Sequence, residues 1–380
     1  MTGNIIKVAI DARPLCHPGT GIHRYTYELL KRLVEYDYEL YLYSDKRVSI
    51  DKMIAERNNV HVRQGRIKYS FLSSLYAQIF FPIWAYRDGV EVFWSPRHHL
   101  PLFLPAKILC VLSIHDIVWV RFGDTMTRFG RLLESILMPL SIKKADKVFP
   151  VSYFTQREIE EIFSVPSAKI CYIPNASYLS SGSTTSAAGI VDSGMYYLFV
   201  GTAEPRKNLK NLISAYKIYY EASLSPIILK IAGGTGWGGI NVSTLIEQAG
   251  LNGVVEHVGY VSDLELQRLY ENAYAILLPS LYEGFGLPAV EAISVNKPVI
   301  TSRHSAMEEV AGDAALTVDP YSIEDIASAL EKLSSDEKLY NELCENAASR
   351  RHLFCWDQSA AKLNKTIIET HSSLDIKFSG

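Results

Sequence analysis

Glu283 and Glu291 bracket a loop that reads Glu-Gly-Phe-Gly-Leu-Pro-Ala-Val-Glu. Carboxylates accept hydrogen bonds from hydroxyls, and amides at a helix start attract anions. The combination suits a ligand rich in hydroxyls that also carries negative charge, and a nucleotide-sugar is such a ligand. Gly284 and Gly286 let it approach the backbone. Pro288 suits the first helical position, where no donor is lost. A second pair, Arg206-Lys207, follows the apolar run Tyr196–Val200. Arg grips phosphate as a planar fork and Lys acts as a point charge, so the pair makes a diphosphate clamp. Asn208 is the expected cap of the helix that follows. His115-Asp116 ends the apolar run Lys107–Leu112, where an imidazole could meet a reacting sugar. The loop Asp11–Tyr25 carries Gly19 and Gly21, which allow close approach to a phosphate or sugar, but it does not match the dinucleotide fingerprint. There is no Asp-x-Asp pair, phosphate-binding Walker loop, Gly-x-Ser-x-Gly or His-Glu-x-x-His. Kinase, hydrolase and metalloprotease chemistry lose support accordingly.

The elements that must hold these groups alternate along the chain. Strand-like runs at Ile5–Ile10, Glu39–Tyr43, Val92–Trp94, Lys107–Ser113 and Lys147–Phe149 are interleaved with helical stretches such as Ile22–Tyr36 and Arg128–Lys144. A stretch rich in Ser, Thr, Ala and Gly, 178–194, reads as a linker. A second alternating set follows at Tyr196–Val200, Ile227–Ile231, Val254–Val258, Ala275–Leu278 and Pro298–Thr301. Apolar strands alternating with helices imply α/β architecture with parallel sheets. We expect two Rossmann-like, doubly wound parallel-sheet domains facing across a cleft: residues 1–177, and 178–356 with the linker at its start. Residues 357–380 are expected as a helix packing back towards the first domain.

The 380 residues are 48% hydrophobic and 21% charged with net charge −3, so no global feature suggests nucleic-acid binding. Five cysteines without Cys-x-x-Cys spacing argue for a reducing compartment, against a disulfide framework and against a zinc site. Met1-Thr-Gly-Asn leads straight into a strand-like run, so no secretory leader is expected. The apolar segment Ser70–Tyr86 is short for a membrane span and contains Gln78 and Pro82. Two readings stay open for it. It is a packed helix, or a patch flanked by Arg63, Arg66, Lys68 and Arg87 that docks on anionic lipid.

Together these pieces resemble glycosyltransferase family 4, with its GT-B fold and retention of anomeric configuration. The likeness covers nearly the whole chain. Its most specific element is the Glu-x7-Glu signature at Glu283 and Glu291. Gly19–Tyr25, His115-Asp116, Val151–Phe154, Ile173-Pro-Asn175, Glu204–Asn208 and Ile231–Gly234 follow in the family's order. The resemblance implies that Glu283 contacts donor-sugar hydroxyls and Glu291 the ribose diol. It places the amides of Gly284, Phe285, Gly286 and Leu287 near sugar and diphosphate. It gives Arg206 and Lys207 the leaving diphosphate, His115 a position by the anomeric centre, and Gly21 a share of the phosphate site. Tyr260, beside Gly259, falls where relatives contact the base. Thr202 lies in the donor site where many relatives carry a basic residue, and His23 stands where many have Gly. The Glu-Pro-Arg-Lys-Asn form is similar to bacterial O-antigen and polysaccharide mannosyltransferases. It implies GDP-mannose as donor, a mannose-containing lipid-linked glycan as acceptor, no metal and no further cofactor. Such an enzyme works in the cytoplasm, peripherally at the cytoplasmic face of the inner membrane. The alternatives are a UDP-sugar donor, a sugar-phosphate enzyme on the same fold, or a non-catalytic glycan-binding subunit of an assembly complex.

Overall fold

The computed structural model describes residues 5–69, 72–179 and 195–378; most of the expected linker, 180–194, lies outside them. The chain forms two compact units. The first comprises Met1–Val120, Met126–Asn175 and Cys355–Gly380, and the second Arg121–Thr125 and Ala176–Phe354.

The first unit holds β1 (Ile6–Asp11), β2 (Tyr38–Ser44), β3 (Val60–Gln64), β4 (Val92–Ser95), β5 (Leu109–Ile114) and β6 (Lys147–Pro150). Their order is β3-β2-β1-β4-β5-β6, with parallel pairing throughout. The second holds β7 (Tyr196–Val200), β8 (Ile228–Ala232), β9 (Val255–Gly259), β10 (Ala273–Leu278), β11 (Val299–Ser302) and β12 (Ala315–Val318). Their order is β12-β11-β10-β7-β8-β9, again parallel. Strands covered by helices on both faces must be apolar along most of their length. β4, β5 and β11 are buried at every residue.

In each sheet the chain builds outwards from one central strand and then returns past it. The order reverses between β1 and β4, and again between β7 and β10. In open parallel sheets, ligands bind beyond the carboxyl ends of the strands at such a reversal. The loops after β1, β4, β7 and β10 are therefore where chemistry is positioned. Right-handed crossovers put the helices Ser73–Asp88 and Arg128–Lys144 on one face of the first sheet and Gly21–Leu33 on the other. The terminal helix Trp356–Phe378 lies against Gly21–Leu33. Arg32 pairs there with Asp357, and the Trp356 and Tyr25 ring centroids are 6.2 Å apart.

Two strands escape the sequence pattern, β3 and β12. Both are sheet edges. β3 reads Val-His-Val-Arg-Gln and is largely exposed beyond Val60, so it lacks an apolar run. Edge strands are kept short and polar because their free side invites unwanted pairing.

Candidate active site

In the second unit, the loop after β7 and the loop after β10 meet across the sheet reversal. β7 ends at Val200, and a tight 3-10 turn, Pro205–Lys207, aims two cations. Arg206 Nη1 lies 2.6 Å from Glu283 Oε2, and Lys207 Nζ pairs with Glu283 Oε1. The Arg206 carbonyl accepts from the Leu281 amide at 2.7 Å and ties the two loops together. Ser280 Oγ donates to Glu283 Oε1 at 3.2 Å. On the outer side Arg206 Nε sits 2.9 Å from Glu204 Oε2, and Thr202 Oγ1 donates to Glu204 Oε1 at 2.6 Å. Thr202, Arg206, Lys207 and Glu283 thus form one polar cluster, joined by Glu204, to which the sequence motif assigned no role.

Burial works against the charge on Glu283, but Arg206 and then Lys207 more than reverse this and hold its carboxyl down to about 2. It is an ionised, acceptor-only carboxylate near neutral pH. It can take hydrogen bonds from sugar hydroxyls or stabilise developing positive charge, but it has no proton to give.

The close approach of β7 and β8 has a specific requirement. A Cβ on Gly233 would fall 1.9 Å from the Gly201 carbonyl oxygen, and Gly233 has φ of +146°. No side chain fits, and the Ile231-Ala-Gly-Gly234 run supplies the glycine. The Asn208 side chain does not cap its helix, contrary to expectation. Its backbone is left-handed (φ 62°), and its Nδ2 donates to the carbonyls of Pro279 at 2.9 Å and Pro320 at 2.7 Å. Asn208 therefore ties together the ends of β10 and β12.

The helix after the second loop runs Leu287–Ser294, with Gly286 preceding it. Pro288 takes the second helical position rather than the first, still among the residues whose amides have no partner inside the helix. Among the described residues, the amides of Phe285, Gly286 and Leu287 donate no hydrogen bond. Three amides at the positive end of a helix are an anion seat. Glu291 falls in the second turn, not the first. It is buried, and Tyr270 OH donates to its Oε2 at 2.5 Å. Tyr260, just after β9, is exposed and lies two strands from β7, apart from this cluster.

In the first unit the loop after β1 carries a buried ion pair, Arg13 Nε to Asp11 Oδ1 at 2.8 Å. Thr20 caps the helix that starts at Gly21, accepting from the His23 amide at 3.2 Å. His115, after β5, is buried, and its Nε2 lies 2.8 Å from the Pro96 carbonyl oxygen. A carbonyl only accepts, so Nε2 carries the proton. The Tyr25 ring meets the imidazole edge-on with centroids 4.8 Å apart. Burial, then the neighbouring His98, push the His115 pKa down to about 4. Asp116 does not orient His115; its Oδ1 accepts from the Val118 amide at 3.1 Å. His115 should therefore stay neutral through the physiological range. Because its folded pKa lies below the ordinary value of 6.5, the unfolded chain binds more protons between about 6.5 and 4. Its contribution to stability is lost as pH falls through that window. Ring-proton NMR should show an imidazole resonance that is still untitrated at pH 5.5 and that disappears in His115→Asn; titration of that ring near 6.5 would overturn the assignment.

The fold class follows from these features: two doubly wound parallel units of the GT-B glycosyltransferases. Residues 19–177 match the family model described as Glycosyltransferase Family 4, and residues 186–350 match Glycosyl transferases group 1. The chain is a glycosyltransferase, with a family 4 domain followed by a group 1 domain. It is 29% identical over 377 residues to the O-antigen chain mannosyltransferase B of Escherichia coli, covering 93% of this chain and 97% of that one. It is also 29% identical to the O-antigen chain mannosyltransferase RfbU of Salmonella typhimurium over 226 residues, 60% of each. Among solved structures, sucrose-phosphate synthase from Thermosynechococcus elongatus superposes with a TM-score of 0.77 at 18% identity, over 97% of this chain and all of that one. WaaG, a glycosyltransferase involved in lipopolysaccharide biosynthesis, gives 0.72 at 14% identity, over 94% and 98%. At such identities the structural matches speak for the fold alone.

Proposed function

We propose that the protein transfers mannose from GDP-mannose, with retention of configuration, to a mannose-containing lipid-linked glycan in bacterial O-antigen assembly. The observation that carries the transfer chemistry is the Arg206–Glu283–Lys207 cluster at the β7/β10 reversal. The mannose assignment leans on the relatives' names and on the Glu-Pro-Arg-Lys-Asn motif.

In this reading the diphosphate lies over the amides of Phe285, Gly286 and Leu287, within reach of Arg206 and Lys207. As the glycosidic bond loosens, negative charge grows on the leaving diphosphate. Preorganised cations and amides meet that charge without reorganising, which is the usual source of such catalysis. The cations carry that load in the proposal, and no step calls for a metal. Glu283 faces the sugar as a fixed anion. The acceptor hydroxyl attacks the anomeric carbon on the face the diphosphate leaves, and its proton passes to a phosphate oxygen. Trapping a glycosyl group on Glu283 would replace that route with double displacement. Glu291 takes the ribose diol, Thr202 and Gly21 the phosphate region, Tyr260 the base, and His115 the neighbourhood of the reacting carbon. Work at the cytoplasmic face of the inner membrane follows from the acceptor.

A thermal-shift panel of GDP, UDP and ADP tests the base, and GDP-mannose turnover on short mannosides tests the sugar. Stabilisation by UDP alone would favour a UDP-sugar donor. Absence of any nucleotide binding would revive a non-catalytic glycan-binding subunit. Arg206→Ala should weaken GDP binding by roughly tenfold or more, as expected for one charge-assisted contact. Guanosine binding should change little, and equal loss for both would mean that Arg206 is not at the diphosphate.

A further inference from the structure

Two helices of the first unit each turn an apolar stripe to solvent. On Ser73–Asp88 the buried side is Ala77, Phe81 and Ala85, while Leu75, Ile79, Ile83 and Tyr86 are exposed at helical spacing. On Arg128–Lys144 the exposed stripe is Phe129, Leu132, Ile136 and Leu140. Right-handed crossovers place both helices on the same face of the sheet. The loop after β4 joins them: Gln78 Nε2 donates to the Leu100 carbonyl at 3.0 Å, and the Leu100 amide donates to Ser141 Oγ at 2.8 Å. Phe103, on that loop, is 76% exposed. Soluble surfaces rarely carry so many large apolar side chains together without a use.

The charges on this face have one sign. The two helices contain two acids, Asp88 and Glu134. Asp88 is buried and pairs with Arg63, and Glu134 Oε2 lies 2.9 Å from His99 Nε2. Arg87, Arg128 and Lys143 are exposed. Against the first helix lies a cavity of about 600 Å³ lined by Lys46, Arg47, Gln64, Gly65, Arg66 and Ile67. It abuts that helix closely: a Cβ on Gly65 would fall 2.6 Å from the Tyr76 hydroxyl. No helix among the described residues is long and apolar enough to cross a membrane.

We infer that this two-helix face is the surface by which the protein seats on an anionic bilayer. The stripes enter the acyl boundary and the Lys46, Arg47 and Arg66 cavity takes lipid phosphate. An amphipathic helix with basic flanks lies in the interface plane in this way, and each nearby cation adds attraction to anionic lipid. A second copy of the chain is a poorer occupant, because a two-fold contact would set the same cations against each other. The inference deepens the proposed use of a lipid-linked acceptor and rests on that reading for its purpose.

Vesicle flotation of the full-length protein tests it without donor or turnover. The protein should float with phosphatidylglycerol-containing vesicles and stay behind with phosphatidylcholine alone. Leu132→Glu with Ile136→Glu should cut flotation by roughly tenfold or more. Arg47→Glu with Arg66→Glu should cut it comparably, and wild-type binding should weaken with salt. Circular dichroism melts of each variant should match the wild type, since these side chains are exposed. Wild type that ignores anionic vesicles, or an apolar-stripe variant that floats unchanged, overturns the inference. So does light scattering that finds a dimer broken by the Leu132 and Ile136 substitutions. GDP binding by calorimetry, run separately, reports on the transferase reading: a chain that floats but binds no nucleotide refutes transfer and leaves the membrane face standing.

Discussion

Glu283→Gln should reduce transfer by roughly 10² to 10³, the scale at which loss of one preorganised electrostatic group is felt. The substitution keeps the shape of the side chain and removes its charge. In the wild type that charge is held between Arg206 at 2.6 Å and Lys207, with Ser280 as a third partner. Lys207 is buried, so the variant leaves it without its counterion. Breaking one side of a buried pair costs about 3–5 kcal/mol, and a clear fall in melting temperature should accompany the kinetic loss. The two effects separate by measurement. Calorimetry at low temperature, where the variant is folded, should still detect GDP, while kcat collapses. An enzyme with unimpaired kcat would remove Glu283 from the reaction centre. The pH dependence has a definite sign. The folded pKa of about 2 lies below the ordinary 4.5, so the ionic contribution is full above 4.5 and lost as pH falls towards about 2. Wild type and variant should therefore converge in stability across that window, with the wild type descending to meet the variant.

Much of this site was legible in the order of residues, because its parts sit at the ends of apolar runs. Tyr196–Val200 and Ala275–Leu278 are both recognisable as buried strands, and the groups beyond them had to emerge on one edge of a parallel sheet. Sequence spacing cannot say that β7 and β10 are neighbours, since 72 residues lie between the end of one and the start of the other while β8 and β9 pair on the other side. The ion pairing of Glu283 with Arg206 and Lys207 depends on that adjacency and was hidden for the same reason. So was the Tyr270–Glu291 contact, which joins two helices that follow different strands. Asn208 shows a different limit. Its residue type fits a helix cap, but two proline carbonyls needed a donor more, and the side chain turned to them. The exposed stripe of Arg128–Lys144 carries the spacing of an ordinary amphipathic helix. Only the structure shows that its apolar residues include an outward set.

Gly286→Ala carries the second large effect, and it arises in the backbone. Gly286 precedes the helix with φ 91° and ψ 63°, a left-handed conformation that costs an L-residue roughly 1–2 kcal/mol. A methyl group there would lie 2.6 Å from Met307 Cγ, 3.3 Å from its Cβ and 3.4 Å from its Cα. Met307 is fully buried, and contact so near its backbone cannot be relieved by swinging the far end of the side chain. Overpacking of this kind adds about 1–3 kcal/mol. The sum, about 2–5 kcal/mol, should appear as a lower denaturation midpoint. Whatever strain the chain relieves by moving must be relieved at the start of the helix, where the amides of Phe285, Gly286 and Leu287 are aimed. GDP affinity should therefore fall by roughly tenfold or more, since about 1.4 kcal/mol of misdirected hydrogen bonding suffices for that. A second substitution separates the two causes. Met307→Ala in the Gly286→Ala background removes the collision at Cγ but leaves the left-handed backbone as it was. It should restore part of the lost affinity and little of the backbone strain. A Gly286→Ala protein with wild-type midpoint and wild-type GDP affinity would show that neither the left-handed turn nor the Met307 contact governs how this loop presents its amides.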